Sequence, residues 1–145
     1  MDKKQPLDVA RGMIDAFNAR DWNRLSELTA PNAVYDEIAT GRKLTGRDDI
    51  LEALKGWTRA FSDVKGTIDQ SAADRDRVLF EVTFKGTHDG ELQAPTGPIK
   101  PTGKYITNRT VQVLRVVDGH IVESRNYFDM LGMLKSVDAL PTRAR

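Results

Sequence analysis

Residues 104–129 read KYITNRTVQVLRVVDGHIVESRNYFD, and this stretch decides the fold. Asp118-Gly119 in its middle is a hairpin signal, because a two-residue turn needs positive φ at both central positions. Lys104 to Val117 then forms one long strand and Ile121 to Asp129 its return. With a two-residue turn Val117 faces His120, and the numbers of each facing pair sum to 237. Asp129 then faces Asn108, Tyr127 faces Thr110, and Arg125 faces Gln112. Alternation places all of these on one sheet face, which continues through Glu123, Leu114, Ile121 and Val116. A bulge would shift one strand by a residue and break this pairing. Arg125, Tyr127 and Asp129 would still share a face, because they lie within one strand. The other face carries Val111, Val113, Val122 and Phe128, but also Arg109, Arg115 and Asn126. Periodicity leaves open which face is a pocket and which is wet.

Before the hairpin lies another strand, Arg77 to His88, in which Val78, Phe80, Val82 and Phe84 alternate with Leu79, Glu81, Thr83 and Lys85. Residues 64–71 are a weaker strand candidate. Asp89 to Gly103 holds three glycines and three prolines and reads as a long loop. The N-terminal third has a different period. Leu7, Ala10, Ile14 and Phe17 form a helical stripe of about three turns. Asp21 is placed to cap a short helix carrying Trp22, Leu25 and Leu28, which Pro31 stops. Ala33 to Ile38 reads as a short strand. Thr45-Gly46-Arg47-Asp48 resembles a capping box, with Asp in the place of Glu or Gln. The helix it opens runs to about Phe61 on the stripe Ile50, Leu54, Trp57 and Phe61. Met130 to Leu140 is a terminal helix or coil. Helices first and antiparallel strands after them indicate α+β, with the helices on one face of a curved sheet. Such a sheet has an open mouth where a pocket forms.

The 145 residues are expected to form a single domain with its core at about 7–138. Lys+Arg is 22 and Asp+Glu is 21, with no basic run, so nucleic acid is not an expected partner. The absence of cysteine excludes disulfides and thiolate chemistry and fits a cytoplasmic setting. The segment from Met1 to Pro6 does not read as a signal peptide, and no window reaches a membrane span. The two histidines, His88 and His120, lie far apart without ligand spacing, so no metal is expected. No Gly-rich phosphate cradle implies a nucleotide cofactor.

Several segments resemble the SnoaL-like polyketide cyclase or ester cyclase family in order and spacing. They are Asn18 to Trp22, Pro31-Asn32-Ala33, Gly46-Arg47-Asp48, Gly86 to Glu91, Pro101-Thr102-Gly103, Asp118 to Glu123 and Tyr127-Phe128-Asp129. The resemblance spans about residues 7–138 and implies the nuclear-transport-factor-2-like fold, a cone of curved sheet over helices. It also implies a homodimer through the outer sheet face, and a cofactor-free pocket for a small hydrophobic or polyketide-like ligand. By this resemblance Asp129 is the general acid/base of an intramolecular aldol ring closure, with its carboxyl directed into an apolar cavity, and His88 is a second pocket residue. The family often has Trp where Arg125 stands, and Gln-Leu-Gly where this chain has Ser136-Val137-Asp138.

The chemistry of each candidate is specific. Burial raises a carboxyl pKa toward neutrality, which lets one group remove a C–H proton and later return it. The alternative for Asp129 is a helix cap, bonded to the N–H of residue 131 or 132. His88 shares strand parity with Phe84 and either works on a proton near neutral pH or is pinned to the adjoining loop. Tyr127, roughly 6.6 Å from Asp129 along the strand, is an oxyanion donor or a pocket-wall tyrosine. Arg125 is a carboxylate or ester binder or a solvated charge. Asn108 could orient Asp129 by a hydrogen bond. Tyr35 is a further candidate for contact with substrate. Asp36 and Glu37 stand before a loop where an isomerase base would sit, which gives a second enzymatic reading. A non-catalytic ligand-binding or dimerising module is the third.

Overall fold

The computed structural model describes residues 5–140. The segment read for a signal peptide lies largely outside them. Twelve elements follow in order. The first half holds α1 (Pro6–Ala19), α2 (Trp22–Leu28), β1 (Thr29–Glu37), β2 (Arg42–Thr45) and α3 (Arg47–Ala60). Then come β3 (Lys65–Asp74), β4 (Arg77–Thr87), β5 (Leu92–Ala94), β6 (Gly97–Ile99), β7 (Tyr105–Val117), β8 (His120–Phe128) and α4 (Met130–Ser136). Six strands form one curved sheet in the order β2-β1-β8-β7-β4-β3. Its pairs are antiparallel except that β1 runs parallel to β8. This is the expected α+β architecture, with one parallel pair added.

The helices form for the expected reasons. Pro6 opens α1, where its missing N–H costs nothing. Val9, Ala10, Ile14 and Phe17 are its buried stripe. Asp21 caps α2 by accepting from the Arg24 N–H at 3.1 Å. The helix ends at Leu28, and Pro31 lies inside β1. The expected capping box before α3 is not made: the N-cap is Gly46 at φ 104°, which has no side chain to offer. The loop expected over residues 89–103 contains the small hairpin β5–β6. Gly90 lets this segment seat on the end of α3, since a Cβ there would lie 1.9 Å from the Arg59 carbonyl oxygen.

The α1 stripe packs on Val78, Phe80 and Val82 of β4 and on Leu114, Val116 and Ile121 of the β7–β8 hairpin. Phe80 is almost fully buried, and truncating such a side chain to alanine costs about 3–5 kcal/mol. The helices thus cover one face of the sheet, and everything that points to that face is core or pocket.

Asp118 and Gly119 have φ of 51° and 78°, so the hairpin turn forms as read. Val117 pairs with His120 and Val116 with Ile121. The next pair is Arg115 with Glu123, so Val122 is an extra residue on β8. This bulge changes the parity of everything beyond it. Gln112 now faces Asn126 and Thr110 faces Phe128. Ser124 and Asn126 are buried on the inner face, while Tyr127 is exposed on the outer one. Arg125 and Tyr127 stay co-facial, on the side opposite Asn108, Thr110 and Gln112, while Asp129 falls beyond the end of β8. Among the described residues, no helix is long and apolar enough to cross a membrane.

Candidate active site

A pocket opens between the helices and the concave sheet face. It encloses about 1070 Å³ of non-atom space, its open mouth included. Its walls are largely apolar: Met13 and Phe17 from α1, Leu54 and Trp57 from α3, Phe84 from β4 and Phe128 from β8. Trp57 is held edge-on to Phe128 at 5.9 Å between centroids and stacks on Phe61 at 6.4 Å. A polar strip crosses this surface, formed by Asn108, Thr110 and Gln112 of β7 and Ser124 and Asn126 of β8. Thr110 Oγ1 donates to the Val82 carbonyl at 3.2 Å, and Asn126 Nδ2 donates to Ser124 Oγ at 3.1 Å.

Tyr35 closes one end of the strip. Ala33, Tyr35 and Glu37 alternate inward along β1, and all three are buried. The Tyr35 hydroxyl donates to Glu37 Oε2 at 2.7 Å. Thr40 Oγ1 donates to Glu37 Oε1 at 2.7 Å, and Arg42 Nη2 donates to Oε2 at 3.0 Å. A carboxylate only 1 % exposed is thus held by two hydroxyls and a guanidinium, which is what burying a charge requires. Burial first, then the neighbouring Glu37 charge, pushes the Tyr35 phenol well above its usual range. Tyr35 lines the pocket and Glu37 does not, so the phenol stands between cavity and carboxylate. Tyr35 and Lys85 are the ionisable side chains among the described lining residues, and Lys85 is exposed at the rim.

The other predicted residues sit elsewhere. Asp129 is exposed and caps α4, accepting from the Gly132 N–H at 2.8 Å. Its carboxyl does not line the cavity: Asp129 follows the end of β8, and its side chain turns onto the first turn of α4. Asn108 lines the pocket and Asp129 does not, its carboxyl being held by the Gly132 N–H, so the two are not brought together. Tyr127 is 40 % exposed on the outer face, where it pairs with Val111. Arg125 lies outside the pocket, 3.8 Å from Glu123. Asp36 pairs with Arg125 across the β1–β8 register and does not line the cavity.

His88 is fully buried at the base of the β5–β6 segment, tilted against Phe61 at 5.3 Å. Its Nδ1 lies 3.0 Å from Thr102 Oγ1 and 3.3 Å from the Thr102 backbone nitrogen. Desolvation lowers its pKa, and the nearby backbone groups of Gly90 and Ile99 and the Asp89 charge oppose that. It does not line the pocket, and its ring bonds to Thr102 of the adjoining loop. No group of three or more His, Cys, Asp or Glu among the described residues could hold a metal.

A curved sheet wrapped over helices around an apolar pocket defines the ketosteroid-isomerase-like or nuclear-transport-factor-2-like class. The chain belongs within it to the family described as SnoaL-like polyketide cyclase, whose model matches residues 7–137. No curated protein matches the chain. Among solved structures it is similar to IdmH of Streptomyces antibioticus, assigned as a polyketide cyclase, at 29% identity and a TM-score of 0.80. That match covers 93% of this chain and 99% of IdmH. AclR of Streptomyces galilaeus, assigned as a hydroxylase, is 24% identical with a TM-score of 0.80, covering 99% of this chain and 87% of AclR. An LEH-like epoxide hydrolase of M. tuberculosis is 19% identical with a TM-score of 0.71, the match covering 91% of this chain and 88% of that one. The last two likenesses concern the fold alone.

Proposed function

We propose that this chain is a small-molecule cyclase of the SnoaL-like family that closes a ring by proton transfer, with Tyr35 and Glu37 as the relay. The observation that carries the reading is the buried Tyr35–Glu37 hydrogen bond at the pocket wall. The Tyr35 proton points to Glu37, and its oxygen keeps a lone pair for an incoming proton, with the Trp57 indole as its other polar neighbour. A substrate C–H proton passes to Tyr35 Oη as the Tyr35 proton passes to Glu37, leaving an enolate. The enolate carbon attacks a second carbonyl of the same molecule, a C–C bond forms, and the resulting alkoxide takes the proton back along the same path. Atoms and charge balance without a cofactor. Arg42 and Thr40 hold the carboxylate in place throughout, so the relay is oriented before substrate arrives. The same relay would serve an allylic isomerisation.

A second reading, a binding module without catalysis, is favoured by the amide and hydroxyl character of the strip. One experiment separates them. The acidic C–H protons of 2-tetralone are followed by NMR in deuterated buffer. The cyclase reading expects exchange well above the buffer rate in the wild type and a loss of roughly 10²–10⁴-fold in Tyr35→Phe. Binding of 2-tetralone without accelerated exchange would favour the module.

The proposal includes a homodimer through the outer sheet face. Leu79, Val111 and Tyr127 are exposed there, each between 38% and 46%, and Val111 pairs directly with Tyr127. Sedimentation at tens of micromolar, a working range for a modest interface, should show a dimer that Val111→Asp shifts to monomer. A monomer in the wild type would remove this part.

A further inference from the structure

Of the five side chains in the polar strip, Thr110, Gln112, Ser124 and Asn126 are buried. Thr110 spends its hydroxyl proton on the Val82 carbonyl, and Asn126 bonds to Ser124. The Gln112 carbonyl oxygen is itself buried and offers no surface to the cavity. Asn108 differs from all four. It is half-buried and lines the cavity, its side chain bonds to no other described residue, and neither of its amide atoms is buried. Alternation along β7 puts it on the concave face with the buried Ile106 and Thr110, while Tyr105, Thr107 and Arg109 are exposed on the other. A donor and an acceptor are thus both open to the pocket. The neighbours are apolar: Phe84 pairs with Asn108 across β4, and Phe128 pairs with Thr110 across β8. A hydrogen bond made among such groups is stronger than one made in water. Register fixes where this amide stands relative to the relay. Glu37 is level with Asn126, and Asn126 with Gln112. Asn108 lies four residues further along β7, roughly 13 Å at strand rise. One end of the floor therefore carries Tyr35 and the other an open amide.

We infer that Asn108 is a specificity-determining residue that holds a hydroxyl or carbonyl oxygen at the end of the ligand remote from the Tyr35–Glu37 relay. The pocket thereby favours elongated, apolar-bodied molecules with an oxygen at each end, a ketone at the relay and a second oxygen on Asn108. The inference rests on the relay proposed above. Asn108 touches the ligand and takes no proton from it, since an amide does not titrate near neutral pH.

Exchange kinetics on the intact chain test this, because they count only molecules whose ketone lies at the relay. 2-Tetralone is compared with 6-hydroxy-2-tetralone and 7-hydroxy-2-tetralone, whose added hydroxyl sits on the ring away from the ketone. For each, kcat/KM of C–H exchange is measured relative to its own rate in buffer. In wild type the hydroxyl should raise this value about tenfold for at least one of the two, the scale of one net hydrogen bond. Asn108→Leu keeps the side-chain size without a donor or acceptor. It should bring the gain to about twofold or less, with exchange of 2-tetralone itself near wild type. Asn108→Ala is the second variant, and thermal melts verify that each is folded. An equal loss for all three probes would mark a structural role and overturn the inference. No gain from either hydroxyl in wild type, or a tenfold gain that survives in a folded variant, would also overturn it while leaving the relay intact. Absence of accelerated exchange for every probe in wild type would overturn the relay, and this inference with it.

Discussion

The Tyr35 hydroxyl donates a 2.7 Å hydrogen bond to Glu37 Oε2, and both side chains leave β1 toward the interior. Tyr35→Phe removes one of the donors that hold a buried carboxylate. Urea unfolding should show a loss of about 1.5–3 kcal/mol, the range for a hydrogen bond to a charged group. Because burial and the Glu37 charge push the phenol up, Tyr35 should also remain protonated in an ultraviolet titration through pH 10.

Asp129 and Gly132 form the cap of α4, and a Cβ on Gly132 would lie 2.5 Å from Asp129 Oδ2. Asp129→Asn should leave stability within about 0.5 kcal/mol, because both residues cap well. Asp129→Ala should lose about 1 kcal/mol. Gly132→Ala should weaken the cap by displacing the carboxyl. Denaturant midpoints measure all three, and an Asn variant as unstable as the Ala variant would argue against the cap.

His88 gives a pH dependence whose sign is fixed. Its folded pKa lies below the ordinary 6.5, chiefly because burial disfavours the charged ring. Between the folded pKa and 6.5 the unfolded chain binds more protons, so stability rises with pH in that window. The His88 contribution is therefore present above pH 6.5 and lost progressively below it as the folded pKa is approached. Unfolding free energy should fall on acidification from pH 7 toward 5, and His88→Gln should flatten that slope.

The two long strands, the helical stripes and the Asp118-Gly119 turn were legible because each has a local cause in periodicity or positive φ. β2 and the β5–β6 hairpin were not, since strands of three or four residues carry too little pattern. The site was half legible. Gln112, Thr110 and Asn108 were grouped on one face correctly, because they share a strand. Arg125, Tyr127 and Asp129 were assigned to that same face; the extra residue Val122 moves Arg125 and Tyr127 to the other, and Asp129 falls past the strand as the cap of α4. Nothing in the sequence around Val122 marks a bulge: it is a β-branched residue in a run that suits a regular strand. Glu37 had a weak signal, an acid standing before a loop. Ala33, Val34 and Tyr35 are all apolar-bodied and leave the faces of β1 undecided in sequence, and only the burial of Ala33, Tyr35 and Glu37 shows the inward parity.

The relay is tested most directly by Glu37→Gln and Asp129→Asn side by side in the 2-tetralone exchange assay. Glutamine keeps the shape of Glu37 and can hydrogen-bond Tyr35, but it cannot take a proton near neutral pH. Exchange should fall by roughly 10²–10⁴-fold in Glu37→Gln and stay near wild type in Asp129→Asn. Full exchange in Glu37→Gln, or its loss in a folded Asp129→Asn, would contradict the relay.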